Sequence, residues 1–124
     1  MTDSFFSMFK PQEIATISAS GTRVNLPNGW SPIWEDTPPD KAYIILSGTV
    51  SVRRDGQEIA QCGPGDIIGE AAIIGHSLRT ASIVALTPLE LIHLSAEALT
   101  RLAVEMPSFQ AALDRVAAER FGAK

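Results

Sequence analysis

A mainly β domain with helices at both ends is the fold that this 124-residue sequence predicts, on three observations. From Arg23 to Leu94 the chain is cut into short apolar runs by Gly, Pro and Asp at intervals of about eight to twelve residues, the texture of an antiparallel sandwich or barrel. Asp55-Gly56 separates two such runs, and this pair accepts the positive φ angles of a tight hairpin. Before Ser18 and after Leu94 the apolar spacing changes to that of helices.

Each element follows in order. From Ser4 to Ser18, the positions of Phe5, Phe6, Met8, Phe9, Ile14 and Ile17 predict one or two short helices, interrupted by Pro11 and packed on the outside of a sheet. Trp30 and Trp34 flank Pro32 in an expected edge strand, as packing residues with base stacking the alternative. In Thr49 to Arg54, Val50 and Val52 alternate with Ser51 and Arg53, placing two residues on each face; Gln57 to Gln61 is the return strand. Ala81 to Leu86 and Glu90 to Leu94 form two further strands around Thr87-Pro88. Ser95 then suits the N-cap of a helix, stapled by Leu94 and Leu99 and facing Leu99, Leu102, Ala103 and Met106 inward. Pro107 breaks it. A second helix, Ser108 to Phe121, carries Phe109, Ala112, Leu113, Val116, Ala117 and Phe121 on a broad stripe.

One domain over residues 1–124 accommodates all of this: helices over about 4–18, β structure over about 23–94, helices again over about 95–121. Fourteen acidic residues against ten basic ones give a net charge of -4, which argues against nucleic acid or an anionic membrane as a partner. Cys62 is the only cysteine, so no internal disulfide forms and its expected role is packing. The first residues lack a basic signal-like region, and no apolar run reaches the roughly 20 residues of a membrane helix, so the expected location is the cytoplasm. His76 reads as a loop residue and His93 as a strand residue at the surface or half-buried. Two histidines this far apart predict no metal site.

The segment from Gly69 to Ser82 carries the chemistry. Gly69 removes a side chain where backbone must approach a ligand, and Glu70, Ala71 and Ala72 suit the first turn of a short helix that Gly75 can end. The unpaired N–H groups at such a start favour a phosphate. Arg79 can grip that phosphate with two parallel hydrogen bonds, while Glu70, an acceptor only, can take hydroxyl protons from a ribose. The competing reading is a structural ion pair between Arg79 and Glu70 with no ligand at all.

Gly69, Glu70, Ala71, Arg79, Thr80, Ala81 and Ser82 together resemble the phosphate-binding cassette of the cyclic-nucleotide-binding domain family, which includes catabolite activators, kinase regulatory subunits and gated channels. Glu70 and Arg79 stand nine positions apart, as in kinase-type cassettes. The resemblance extends over Leu26 to about Leu94, through a Leu-Pro-x-Gly turn at Leu26–Gly29, the run into Ser47-Gly48, the Asp55-Gly56 hairpin and Gly63-Pro64-Gly65-Asp66. It implies an antiparallel β-roll, a jelly roll or double-stranded β-helix, with short N-terminal helices, a short cassette helix and two C-terminal helices. It also implies a non-enzymatic receptor for cAMP or cGMP, with no cofactor, no metal and no catalytic residue. The ligand-binding residues would be Gly69, Glu70, Ala71, Ala72, Arg79, Thr80 and Ala81. Thr80 leaves the choice of base open, because a hydroxyl there can meet either the phosphate or the guanine amino group. The expected receptor stands alone and acts on an effector protein, or on a second copy through the C-terminal helix, with Phe121, Val116 and Leu113 as candidates to cover the base. Two departures occur, Glu35-Asp36-Thr37 followed by Pro38-Pro39, and Pro32 in place of an apolar residue; both are expected in a loop away from the cassette. Two other readings are a β-roll interaction module that no longer binds nucleotide and a cupin-like metalloenzyme, the latter opposed by the lack of a His-x-His pair.

Overall fold

The computed structural model describes residues 5–75, 79 and 81–121, with the side chains of 118–121 outside the description, as is the Phe121 side chain among them. A single 3-10 turn, Phe6–Met8, precedes α1 (Pro11–Ala19), β1 (Thr22–Leu26), β2 (Lys41–Ser47), β3 (Val50–Arg54), β4 (Gln57–Cys62) and β5 (Ile67–Ile68). Then come α2 (Glu70–Ile74), β6 (Ser82–Ala85), β7 (Leu89–Ser95), α3 (Ala96–Glu105) and α4 (Pro107–Phe121). The strands form a four-stranded sheet in the order β1-β7-β2-β5 and a three-stranded sheet in the order β4-β3-β6, with antiparallel neighbours throughout.

The four-stranded sheet is apolar on both faces, which the unbroken run Ala42-Tyr43-Ile44-Ile45 makes possible. Successive side chains point to opposite faces. Ala42 and Ile44 thus join the helices in one core, and Tyr43 and Ile45 face the other sheet in a second. On the helical side, Phe5, Phe9 and Ile17 meet Leu99, Leu102, Phe109 and Leu113. The Phe5 ring packs edge-on to both Phe9 (5.1 Å) and Phe109 (5.5 Å), tying the two ends of the chain together. Each fully buried Phe, Leu or Ile contributes about 1.5–3 kcal/mol, so this trio is a substantial share of the helical layer.

Local signals explain the ends of the elements. Asp55 (φ 54) and Gly56 (φ 80) both take the left-handed region that a two-residue hairpin requires. The Ser95 hydroxyl accepts from the Ala98 N–H at 3.1 Å, capping α3 as expected, and Leu94 and Leu99 are buried beside it. Pro107 does more than stop α3, because it occupies the first turn of α4, where a missing N–H costs nothing. Pro11 likewise begins α1, so that two short helical pieces meet there as expected.

One expectation fails. The Trp30 to Trp34 stretch is no regular edge strand: it lies along β6 through one ladder bridge, Ile33 to Ile83, with the Ala85 N–H donating to the Trp30 carbonyl at 2.8 Å and the Ser31 hydroxyl to the Ile83 carbonyl at 2.6 Å, and it leaves Trp30 and Trp34 60% and 62% exposed. The buried anchor there is Ile33. Ser51, on the face of β3 opposite Val50 and Val52, is fully buried as well, its hydroxyl donating to Glu58 at 2.6 Å and accepting from the Arg53 Nε at 3.0 Å.

Candidate functional site

Gly69 is the hinge of the site. It takes φ 86 as the N-cap of α2, and a Cβ there would stand 2.6 Å from Ile33 Cδ1 and 2.9 Å from Arg79 Nη1. Both the left-handed backbone and the lack of room therefore require glycine. Gly75 ends α2 as expected, but in a right-handed conformation (φ -83), with its N–H donating to the Ala71 carbonyl at 2.9 Å. The helix buries Ala72, Ile73 and the Glu70 side chain, the last only 2% exposed. Ile73 joins the helical core with Ala98, Leu99 and Leu102 of α3.

Arg79 is brought to the same place and is 4% exposed. Its Nη1 donates to the Gly69 carbonyl at 2.5 Å, its Nη2 donates to the Lys41 carbonyl, and Asp40 Oδ1 lies 3.8 Å from Nη2. Burial pushes the guanidinium pKa down, while the charges of Asp40, Tyr43 and Glu70 oppose that shift. The Asp40 carboxyl is also raised by burial, yet the Lys41 hydrogen bond, the Lys41 charge and Arg79 hold it below the ordinary aspartate value. The main chain of Arg79 is fixed by the 35–37 loop: its N–H donates to Thr37 O (2.9 Å), and its carbonyl accepts from Asp36 N–H (2.8 Å). Asp36 itself takes φ 64 to make this turn. The departure at Glu35-Asp36-Thr37 thus lies against the cassette, contrary to the expectation that it would be remote.

These residues open onto a cavity of about 390 Å³ between the two sheets. From the four-stranded side it is lined by Gly69, Glu70, Ala71, Ala72 and Arg79. The three-stranded side supplies Val52 and Arg54 of β3 and Ile59, Ala60 and Cys62 of β4, while Ala81 and Ile83 stand at β6. A buried cation and a buried carboxylate on one side, and an opposite wall that is apolar apart from Arg54, suit a ligand with an anionic group, hydroxyls and a flat, largely apolar part.

Of the residues singled out from sequence, Gly69, Glu70, Ala71, Ala72, Arg79 and Ala81 all line this cavity; Thr80 and His76 lie outside the described residues. Cys62, expected only to pack, lines it as well. Sequence reasoning missed Asp40 and Lys41 as neighbours of Arg79, and Val52, Arg54 and Ile59 as wall. The alternation of β3 was the signal available for Val52 and Arg54, two residues apart on one side of the strand. His93 stacks edge-on against Tyr43, with ring centres 5.4 Å apart. Among the described residues, no three of His, Cys, Asp and Glu converge as for a metal ion, and no helix is long and apolar enough to cross a membrane.

Comparison with known proteins agrees with this geometry. The family model described as the cyclic nucleotide-binding domain matches residues 23–105. The chain is 32% identical over 120 residues to a CRP-like cAMP-activated global transcriptional regulator of Mycobacterium tuberculosis, covering 93% of this chain and 54% of that protein. It is 33% identical over 98 residues to a cAMP-dependent protein kinase regulatory subunit of Aspergillus niger, covering 77% of this chain and 24% of that protein. Among solved structures, the Thermus thermophilus catabolite activator protein superposes with a TM-score of 0.84 at 27% identity, over 94% of this chain and 57% of that one. The chain spans about half the length of the first of these relatives. The antiparallel β-roll implied by the resemblance is therefore the fold observed, and the chain belongs to the cyclic nucleotide-binding domain family.

Proposed function

We propose that this chain is a regulatory, non-catalytic receptor for a 3',5'-cyclic purine nucleotide, and that occupancy of its cavity repositions α3 and α4. The observation that carries this reading is the pairing of two buried, oppositely charged side chains, Glu70 and Arg79, on the wall of one cavity in a family of nucleotide-binding domains. Gly69, Ala71, Ala72, Thr80 and Ala81 complete the proposed cradle. The phosphate docks on the Gly69–Ala72 turn and Arg79, and Glu70 takes the ribose 2'-hydroxyl proton.

The route outward is short. Ile73 packs in the core that holds α3, and the carbonyl of Asp40 accepts from the N–H of Ala96, the first residue of α3, at 3.0 Å. Arg79 touches Asp40 and Lys41 from the other side. A phosphate that draws the guanidinium toward the cavity loosens its hold on this corner, and only a difference in affinity between the two arrangements can drive the change. The effector that reads α3 and α4, another protein or a second copy, is part of the proposal, as are the exclusion of nucleic acid and a cytoplasmic location.

A specific observation serves the rival reading of an interaction module without ligand: Arg79 already has two main-chain carbonyls and Asp40 as acceptors. Calorimetry decides between the two. Cyclic AMP or cyclic GMP should bind measurably and the open 5'-monophosphates far more weakly, because ring closure fixes the phosphate beside the ribose and removes freedom that binding would otherwise freeze. Equal affinity for open and cyclic forms would reduce the site to a generic phosphate cradle, and no binding of either would favour the interaction module.

A further inference from the structure

The wall opposite the cassette holds one strongly polar side chain among the described residues that line it. Val52, Ile59 and Ala60 are apolar, Cys62 carries a thiol that is a weak hydrogen-bonding group, and Arg54 carries a guanidinium. Arg54 follows Val52 by two residues on β3, and both line the cavity. Val52 faces inward against the interior core, so the strand itself aims position 54 to the same side. Arg79 and Glu70 belong to the other wall, to which the proposed receptor reading assigns the phosphate and ribose. A nucleotide held there by its phosphate and sugar presents its base to β3 and β4.

We propose that Arg54 reads the base and selects guanine over adenine, a step that rests on the receptor reading above. A guanidinium has five N–H donors in a planar fork and no acceptor. Guanine offers it two adjacent acceptors, O6 and N7, that match the fork. Adenine replaces O6 by an amino group, which is itself a donor and faces the guanidinium with a repulsive contact. The preferred ligand class is thus a cyclic nucleotide whose base carries an oxo group beside N7. Because Arg54 is exposed at the cavity mouth, the preference is set at about fivefold to tenfold, the low end for a two-pronged contact.

The test is titration calorimetry of the whole chain with cyclic GMP, cyclic IMP and cyclic AMP, for wild type, Arg54→Ala and Arg54→Gln. Hypoxanthine keeps O6 and N7 but lacks the 2-amino group of guanine, so wild type should bind cyclic GMP and cyclic IMP alike and cyclic AMP about fivefold to tenfold more weakly. Arg54→Ala should bring the three together by weakening the two oxo nucleotides. Arg54→Gln should turn the preference to cyclic AMP, since a carboxamide both accepts and donates and pairs with adenine N6 and N7. Three outcomes overturn the inference while leaving the receptor reading intact. They are equal binding of all three by wild type, cyclic IMP grouping with cyclic AMP, which would move the preference to the 2-amino group, and an equal loss for all three in Arg54→Ala, which would make Arg54 a phosphate contact. Failure of wild type to bind any of them would overturn the receptor reading and this inference with it.

Discussion

Arg79 has two roles that its position makes separable. Its guanidinium satisfies two carbonyls, those of Gly69 and Lys41, in a place where water hardly reaches. Truncation leaves those carbonyls without that donor, and a buried polar group left unpaired costs about 1–3 kcal/mol. Arg79→Ala should therefore lower the melting temperature of the ligand-free protein. If the same group clamps the phosphate, it should also cost about 2–5 kcal/mol of nucleotide affinity, the usual penalty for removing one partner of a desolvated charge pair. Arg79→Lys keeps the charge but not the fork and should fall between wild type and alanine in affinity. Glu70→Gln should weaken binding less, since an amide still accepts one hydrogen bond from the ribose. Thermal melts and calorimetry on the same samples separate the two costs. A lowered melting temperature with unchanged nucleotide affinity would leave Arg79 as scaffold alone. Little of this double duty was legible in the sequence: the spacing of Glu70 and Arg79 pointed to an anion site, but the acceptors on Lys41 and Asp40 lie 38 and 39 positions away and leave no local pattern.

At the scale of elements, the hairpin, the α3 cap and the two C-terminal helices were readable because their causes are local: positive φ at Asp55-Gly56, a hydroxyl before a helical stretch, a proline where N–H groups are spare. β5 escaped, since two residues between a turn and Gly69 show no periodicity, and its pairing to Tyr43 and Ile44 is set by distant chain. One tie between elements also escaped. Glu13 in α1 accepts from the Lys10 N–H at 2.9 Å and from the Ser108 hydroxyl of α4 at 2.6 Å. These two bonds, the backbone one foremost, hold its carboxyl below its ordinary value of 4.5. A carboxyl depressed in the folded state stabilises above the unfolded value, and that contribution is lost as pH falls through the lower, folded one. Melting temperature should accordingly drop more steeply in wild type than in Glu13→Gln from about pH 5.5 to 3.5, because the amide cannot titrate. Glu58, held down by the Ser51 hydroxyl and then by Gln61, titrates in the same sense and remains in both proteins, so the difference between the two curves isolates Glu13. Parallel curves would mean that neither the Lys10 nor the Ser108 bond to Glu13 contributes in solution.

For the whole molecule, the four-stranded sheet is the partition that matters. Its two apolar faces were foreshadowed by the unbroken Ala42–Ile45 run, but a run of this length fits a buried helix as well as a strand covered on both sides, so the layering emerged only with the topology. One face joins the core between the sheets through Tyr43 and lines the cavity through Ile68, and the other carries the helices through Ile44 and Ile67. α2 spans the partition. Glu70 to Ala72 line the cavity, while Ile73 sits in the core of α3 and α4, so movement of this five-residue helix on one side is felt on the other. Packed cores answer such a shift by adopting a second arrangement rather than by deforming smoothly. Amide hydrogen exchange tests this directly. Saturating cyclic nucleotide should change exchange in α2 and also at Ala96 and along α3, where the Asp40 carbonyl and Ile73 make contact with the C-terminal helices. β1, packed against β7 at the sheet edge farthest from β5, should be unaffected. Arg79→Ala should abolish the change at both places together if the arginine is the trigger. Protection confined to residues 69–75 and 81–85, with α3 and α4 unmoved, would show that the cavity binds its ligand without passing the event across the sheet.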